Sequence, residues 1–200
     1  MRLGVIVLSI LAIAAAVHAA AQDTLPSGAR LLVNQDRFGS HLALCAQTGG
    51  RVVRHGARTV TPTAVWAGEG KTFHKLNAGL AACDPSWSPD GHRLAVTAVD
   101  GLWIFPAESP VGSLRVEAKL PIGEPAELTY RAFAHPKWSP DGALVALVVT
   151  NGGTSWVEVF DASSGRLFYT SPPEAHSFAW GSTARDLKVG DLDVHLPPHP

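Results

Sequence analysis

The chain is poor in charge. Its 16 lysines and arginines stand against 17 aspartates and glutamates across 200 residues, and neither sign forms a run. Gripping a nucleic-acid backbone takes a basic patch, so nucleic acid is not an expected partner. The familiar catalytic signatures are absent as well: no Gly-x-Ser-x-Gly elbow, no His-Glu-x-x-His pair and no Cys-x-x-Cys pair. Trp66-Ala-Gly-Glu-Gly-Lys-Thr72 looks like a phosphate loop, but Val65 stands where its first glycine belongs and alternating residues follow, which makes it a hairpin turn. Aromatic residues, at 8%, are too few for a continuous sugar-binding platform. Beyond residue 21 no long stretch has helical periodicity, whereas 19 glycines and 15 prolines punctuate short apolar runs. That pattern belongs to an all-β protein.

The one long apolar run is at the start. Arg2 is a minimal positive region, Val5–Ala16 is apolar, and Val17-His18-Ala19 or Ala19-Ala20-Ala21 offers small residues for cleavage just before Gln22. Residues 1–21 therefore read as a signal peptide and 22–200 as one exported domain, periplasmic or secreted, with no membrane insertion after cleavage. No cysteine stands at the junction, so the signal is not of the bacterial lipoprotein kind. Without Arg2, 15 basic side chains face 17 acidic ones, a net of −2.

Trp-Ser-Pro-Asp-Gly occurs twice, as Trp87–Gly91 and Trp138–Gly142, followed by the apolar runs Leu94–Val99 and Leu144–Val149. Proline presets φ at the second position of a turn, aspartate bonds back to the backbone, and glycine accepts φ > 0. Each copy therefore joins two antiparallel strands through Ser88, Pro89, Asp90 and Gly91 or Ser139, Pro140, Asp141 and Gly142. The two aspartates serve turns better than acid–base chemistry, and Ser88 reads as dispensable beside the glycines. A third copy, Phe178–Val189, keeps Trp180 without the turn signature, and a fourth, Leu42–Val53, has Cys45 in place of the tryptophan. The anchors Cys45, Trp87, Trp138 and Trp180 lie 42, 51 and 42 residues apart, which are blade lengths. Trp87, Trp138 and Trp180 are expected to fill the wedges between blades.

Pro85–Val96 and Pro136–Leu147 resemble the WD40-like repeats of the TolB β-propeller family, in which Trp-Ser-Pro-Asp-Gly closes the innermost strand of one blade. The resemblance implies a β-propeller serving in cell-envelope assemblies. About 175 residues at ~40–45 per blade give four blades. Strands are expected at Ala64–Ala67, Lys71–Leu76, Arg93–Val99, Leu102–Pro106, Leu114–Leu120, Leu144–Thr150, Ser155–Asp161, Arg166–Thr170, Asp186–Val189 and Leu192–Leu196. The last blade lacks a fourth strand, and Arg30–Asp36 is an orphan before the first anchor. The economical layout closes the ring by pairing that N-terminal strand with the last blade. The alternative is a partial array of a larger propeller.

In this layout Cys45 and Cys83 stand at opposite ends of adjacent strands, which favours two buried thiols over a bridge. Three and four residues before the anchors stand His41, Asp84, His135 and His176. Imidazole and carboxylate suit a divalent first-row metal, so a channel-mouth site for one such ion is one candidate and solvated loop histidines are the other. The leading functional expectation is a non-catalytic module with no cofactor that binds another envelope or extracellular protein. The alternative is a small metal-dependent hydrolase of the lactonase kind, in which a divalent ion activates water.

Overall fold

The structure is a computed structural model describing residues 30–47, 53–55, 58–70, 72–79, 81–99, 101–107, 109, 112, 114–117 and 131–198. The expected signal segment, Lys71, Asp100 and the end of the strand expected at Leu114–Leu120 lie outside the described residues. All regular elements among the described residues are β-strands, and no described helix is long and apolar enough to cross a membrane. The first sheet holds β1 (Arg30–Phe38) and β2 (His41–Gln47). A hairpin of β3 (Val53–His55) and β4 (Arg58–Val60) follows, before β5 (Thr63–Glu69) and β6 (Thr72–Lys75) complete the sheet. The second runs through β7 (Cys83–Trp87), β8 (Arg93–Ala98), β9 (Gly101–Pro106) and β10 (Leu114–Glu117). The third comprises β11 (Arg131–Trp138), β12 (Leu144–Asn151), β13 (Thr154–Asp161) and β14 (Leu167–Thr170). The last has three strands, β15 (Phe178–Trp180), β16 (Asp186–Val189) and β17 (Leu192–His195). All four sheets are antiparallel meanders.

The sheets stack face to face, so the inner strands are apolar on both sides. In β8, Leu94, Val96 and Ala98 pack toward the first sheet, while Ala95 packs toward the third. In β12, Val145, Leu147 and Val149 face the second sheet and Leu144 and Ala146 face the fourth. A strand buried on both faces loses the polar half of its alternation, which is why these runs are nearly continuous in apolar residues. The last sheet differs: Leu187 and Val189 are buried, but the opposite face carries exposed Lys188 and Asp193 directly across from each other.

Three expectations are corrected. Arg30–Phe38 does not close the last sheet. It pairs with β2 from Phe38↔His41 to Arg30↔Gln47 and is the first strand of the first sheet. Its turn is the two residues Gly39 and Ser40, so no Trp-Ser-Pro-Asp-Gly marks its end, and Cys45 lies one strand beyond the position expected for an anchor. Cys45 consequently belongs to a second strand, not to an innermost one. The cysteines are bridged, because β2 packs on β7 and brings the Cys45 and Cys83 Cα atoms to 5.2 Å, inside the range a disulfide spans.

The two Trp-Ser-Pro-Asp-Gly turns are copies down to single hydrogen bonds. Gly91 N donates to Ser88 O and Gly142 N to Ser139 O, both at 2.9 Å. Ser88 Oγ donates to Asp90 Oδ1 at 2.5 Å and accepts from Arg93 N at 2.9 Å, while Asp90 Oδ1 also accepts from His92 N. Ser139, Asp141, Ala143 and Leu144 repeat this arrangement. Gly91 and Gly142 have φ of 72° and 73°, the left-handed region that glycine occupies without a Cβ penalty. Both serines are fully buried at the centre of the turn, so Ser88 is structural rather than dispensable. The hydrogen bond from Ser88, then that from the His92 amide, holds the Asp90 carboxyl below the ordinary carboxylate range.

Candidate functional site

Each joint between sheets is built around the tryptophan that ends the first strand of a sheet. The Trp138 indole donates to Ser86 O at 2.8 Å, and the Trp180 indole donates to Lys137 O at 3.1 Å. In both cases the acceptor belongs to the residue before the preceding anchor position. At the second joint the Arg93 guanidinium lies 4.8 Å over the Trp138 ring and donates to Gly142 O at 2.8 Å, combining a cation–π contact with a charged hydrogen bond. At the first joint His41 holds the position equivalent to Arg93, and its ring stands 5.8 Å from that of Trp87. The Trp87 indole nitrogen is buried with no hydrogen-bond partner.

The first strands of three sheets share a second repeated feature. Pairing is irregular between Leu31 and Gln35, between Cys83 and Pro85, and between Ala134 and Lys137, the same level in three consecutive sheets. Asp84 and His135 both have positive φ there, 48° and 54°. Asp and His are among the few side chains that tolerate this region, so the backbone accounts for these two residue types. The Asp84 carboxylate accepts from the Asn34 side-chain amide and, at 3.3 Å, from the His135 backbone N. One carboxylate thereby links β1, β7 and β11. Between the same β1 and β7, Asp36 Oδ2 accepts from Trp87 N at 2.7 Å.

The four expected ligands are thus divided. Asp84 and His135 are adjacent, through the histidine's backbone. His41 sits at the first joint on Trp87, and His176 lies 3.8 Å from Glu174 Oε2 with both side chains exposed. Among the described residues no three His, Cys, Asp or Glu side chains come together as a metal-ion site.

A groove of about 530 Å³ opens at the first joint, between the first sheet and the segment after β9. Its polar wall follows the sheet register: His41 is opposite Glu69, Glu69 is opposite Thr72, and His74 lies one step along. Ala67 and Gly68 form the floor, with Ala107 and Ser109 on the other side. A Cβ on Gly68 would run into the Thr72 carbonyl and the Phe73 Cα, so the tight β5–β6 pairing requires glycine there. The volume falls within the range of small-ligand sites. Glu69, Thr72 and His74 make no side-chain hydrogen bond or ion pair with described residues, in contrast to Asp36, Asp84, Asp90 and Asp186, whose carboxylates are all engaged. Sequence reasoning singled out His41 but missed Asn34, Glu69, His74 and Arg93. A strand register is needed to find the first three, and the apolar periodicity on either side gives Arg93 no signature of its own.

No protein-family model matches the chain, and no curated protein is found to be similar to it.

Proposed function

We propose that this chain is an exported, non-catalytic module built as a TolB-like, four-blade propeller array and that it engages another protein of the cell envelope or extracellular space. The observation that carries this reading is the use to which the repeats put their polar groups. Asp90 is held in its turn by hydroxyl and backbone donors, Asp141 bonds within its own in the same way, and Asp84 ties three inner strands together. A scaffold spends its carboxylates on holding its shape, whereas a hydrolytic centre needs acids or metal ligands free to meet a substrate. The signal-like residues 1–21 support export, and the Cys45–Cys83 bridge fits an oxidising compartment.

The test is fractionation of cells producing the full chain, followed by cross-linking and reconstitution with the captured protein. The expected result is a mature form beginning near Gln22 in the envelope or medium, bound to one partner that the purified protein also binds. Retention of the uncleaved chain in the cytoplasm, or metal-stimulated turnover of ester or lactone substrates by the purified protein, would overturn it.

A further inference from the structure

We propose that the groove at the first joint is a binding site for a guanidinium or ammonium group, supplied by an arginine or lysine side chain of a partner or by a free amine. The proposal deepens the binding-module reading by assigning a chemistry to one surface.

The argument comes from comparing equivalent positions. At the second joint the chain's own Arg93 guanidinium covers the anchor tryptophan and bonds a turn carbonyl of the next sheet. At the first joint the equivalent residue is the shorter His41, whose ring stands tilted at 5.8 Å from that of Trp87, and a groove opens beside it. The buried Trp87 indole nitrogen at the same joint has no hydrogen-bond partner, whereas that of Trp138 donates to Ser86 O. The groove's polar side chains are acceptors suited to N–H donors: the Glu69 carboxylate, the Thr72 hydroxyl and the imidazoles of His41 and His74 in their neutral form. No described lysine or arginine lines it, so an anionic ligand would meet Glu69 with nothing to balance the repulsion. A planar guanidinium pairs with a carboxylate through two parallel hydrogen bonds, which the exposed Glu69 side chain is placed to accept. The ligand would bring to the first joint, beside His41, the guanidinium that Arg93 supplies at the second.

The test is titration of the purified, disulfide-intact protein with N-acetylarginine amide, followed by histidine imidazole NMR signals and calorimetry. The neutral isostere N-acetylcitrulline amide is the control. The arginine probe is expected to shift the His41 and His74 signals and to bind at least tenfold more tightly than citrulline. Glu69→Gln, a change at an exposed side chain, should weaken it about tenfold without altering the melting temperature. His41→Arg should abolish binding and raise the melting temperature, because the protein's own guanidinium then occupies the joint. Tighter binding of an arginine-containing peptide than of free agmatine assigns the source to a partner protein; the reverse assigns it to a small amine. Equal binding of citrulline, no binding by the wild type, or binding that a chelator removes would each overturn the proposal. Because the probe needs no partner, failure here leaves the envelope-partner reading to its own test.

Discussion

The first and second joints solve one packing problem in different ways. At the second, Trp138 is anchored on both sides: its indole bonds Ser86 O, and Arg93 lies over its ring and holds the Gly142 carbonyl. At the first, Trp87 has no indole partner, His41 replaces the arginine and a groove remains, but a covalent bridge between Cys45 and Cys83 crosses the same joint. A joint closed by side-chain bonds can be tight without a crosslink. The joint that keeps an open groove is also held by the hydrogen bonds of Asp84 with Asn34 and of Asp36 with the Trp87 amide, and the disulfide adds a covalent tie to them. The open joint is therefore the place to look for function, and the closed one is its internal control.

The disulfide should have the largest effect. Its 38-residue separation corresponds to about 4 kcal/mol of restricted unfolded-chain entropy. Cys45→Ala/Cys83→Ala should lower the urea midpoint accordingly and make the protein insensitive to reductant, while wild type loses the same increment on reduction. Equal stability of the oxidised and reduced protein would remove the covalent half of the comparison.

The turn glycines should separate next. Both have positive φ, but a Cβ on Gly91 would collide with the Phe38 ring from the first sheet, whereas one on Gly142 would meet the Arg93 guanidinium at 3.3 Å. Gly91→Ala is expected to cost about 2–3 kcal/mol and Gly142→Ala about 1 kcal/mol, measured by chemical denaturation. Equal losses would mean that Phe38 swings away freely.

The anchor tryptophans sharpen the contrast further. Trp138→Phe deletes a buried hydrogen bond and leaves Ser86 O without its donor, for a loss of about 1–2 kcal/mol beyond the change in ring size. Trp87→Phe removes a donor that has no partner, so that additional loss should be absent. If both variants melt together, the two joints are equivalent in the respect claimed.

The smallest effect is on acid stability. Burial would raise the Asp161 pKa, but hydrogen bonds from Ser163 and Ser164 outweigh it and hold it well below the ordinary range; Asp90 is lowered chiefly by Ser88. Groups lowered in the folded state stabilise it above their unfolded pKa, and that contribution disappears as pH falls through the folded values. Urea midpoints should be flat above about pH 5 and decline below about pH 4. In Ser88→Ala the acid decline should be shallower than in wild type, because without its main hydrogen bond the Asp90 carboxyl is held less far below its unfolded value; an unchanged acid limb would show that Ser88 does not set that carboxyl.

Where structure is local, the sequence is explicit. The strands flanking each Trp-Ser-Pro-Asp-Gly, the positive φ of Gly91 and Gly142, and the three-stranded last sheet follow from turn chemistry and period-2 patterning within a few residues. The first sheet resisted because its opening turn is Phe38-Gly39-Ser40-His41, a two-residue connection that shares no signature with the others. Nothing local therefore ties Arg30–Phe38 to one sheet more than to another.

Pairing partners and joints are decided by groups that meet only after folding. Cys45 and Cys83 come within bridging distance because β2 packs on β7, and Asp84 meets Asn34 and His135 across roughly fifty residues of chain on either side. The groove is still less visible, since it depends on His41, Glu69, Thr72 and His74 sharing a face through strand register and on what His41 does not fill. By itself the sequence determined the all-β class, the two Trp-Ser-Pro-Asp-Gly turns and the spacing of the last three sheets, because backbone conformation and burial pattern are properties of neighbouring residues. Only the tertiary structure decided which strand pairs with which, where the disulfide falls and which joint stays open, because those depend on distances between residues remote in the chain.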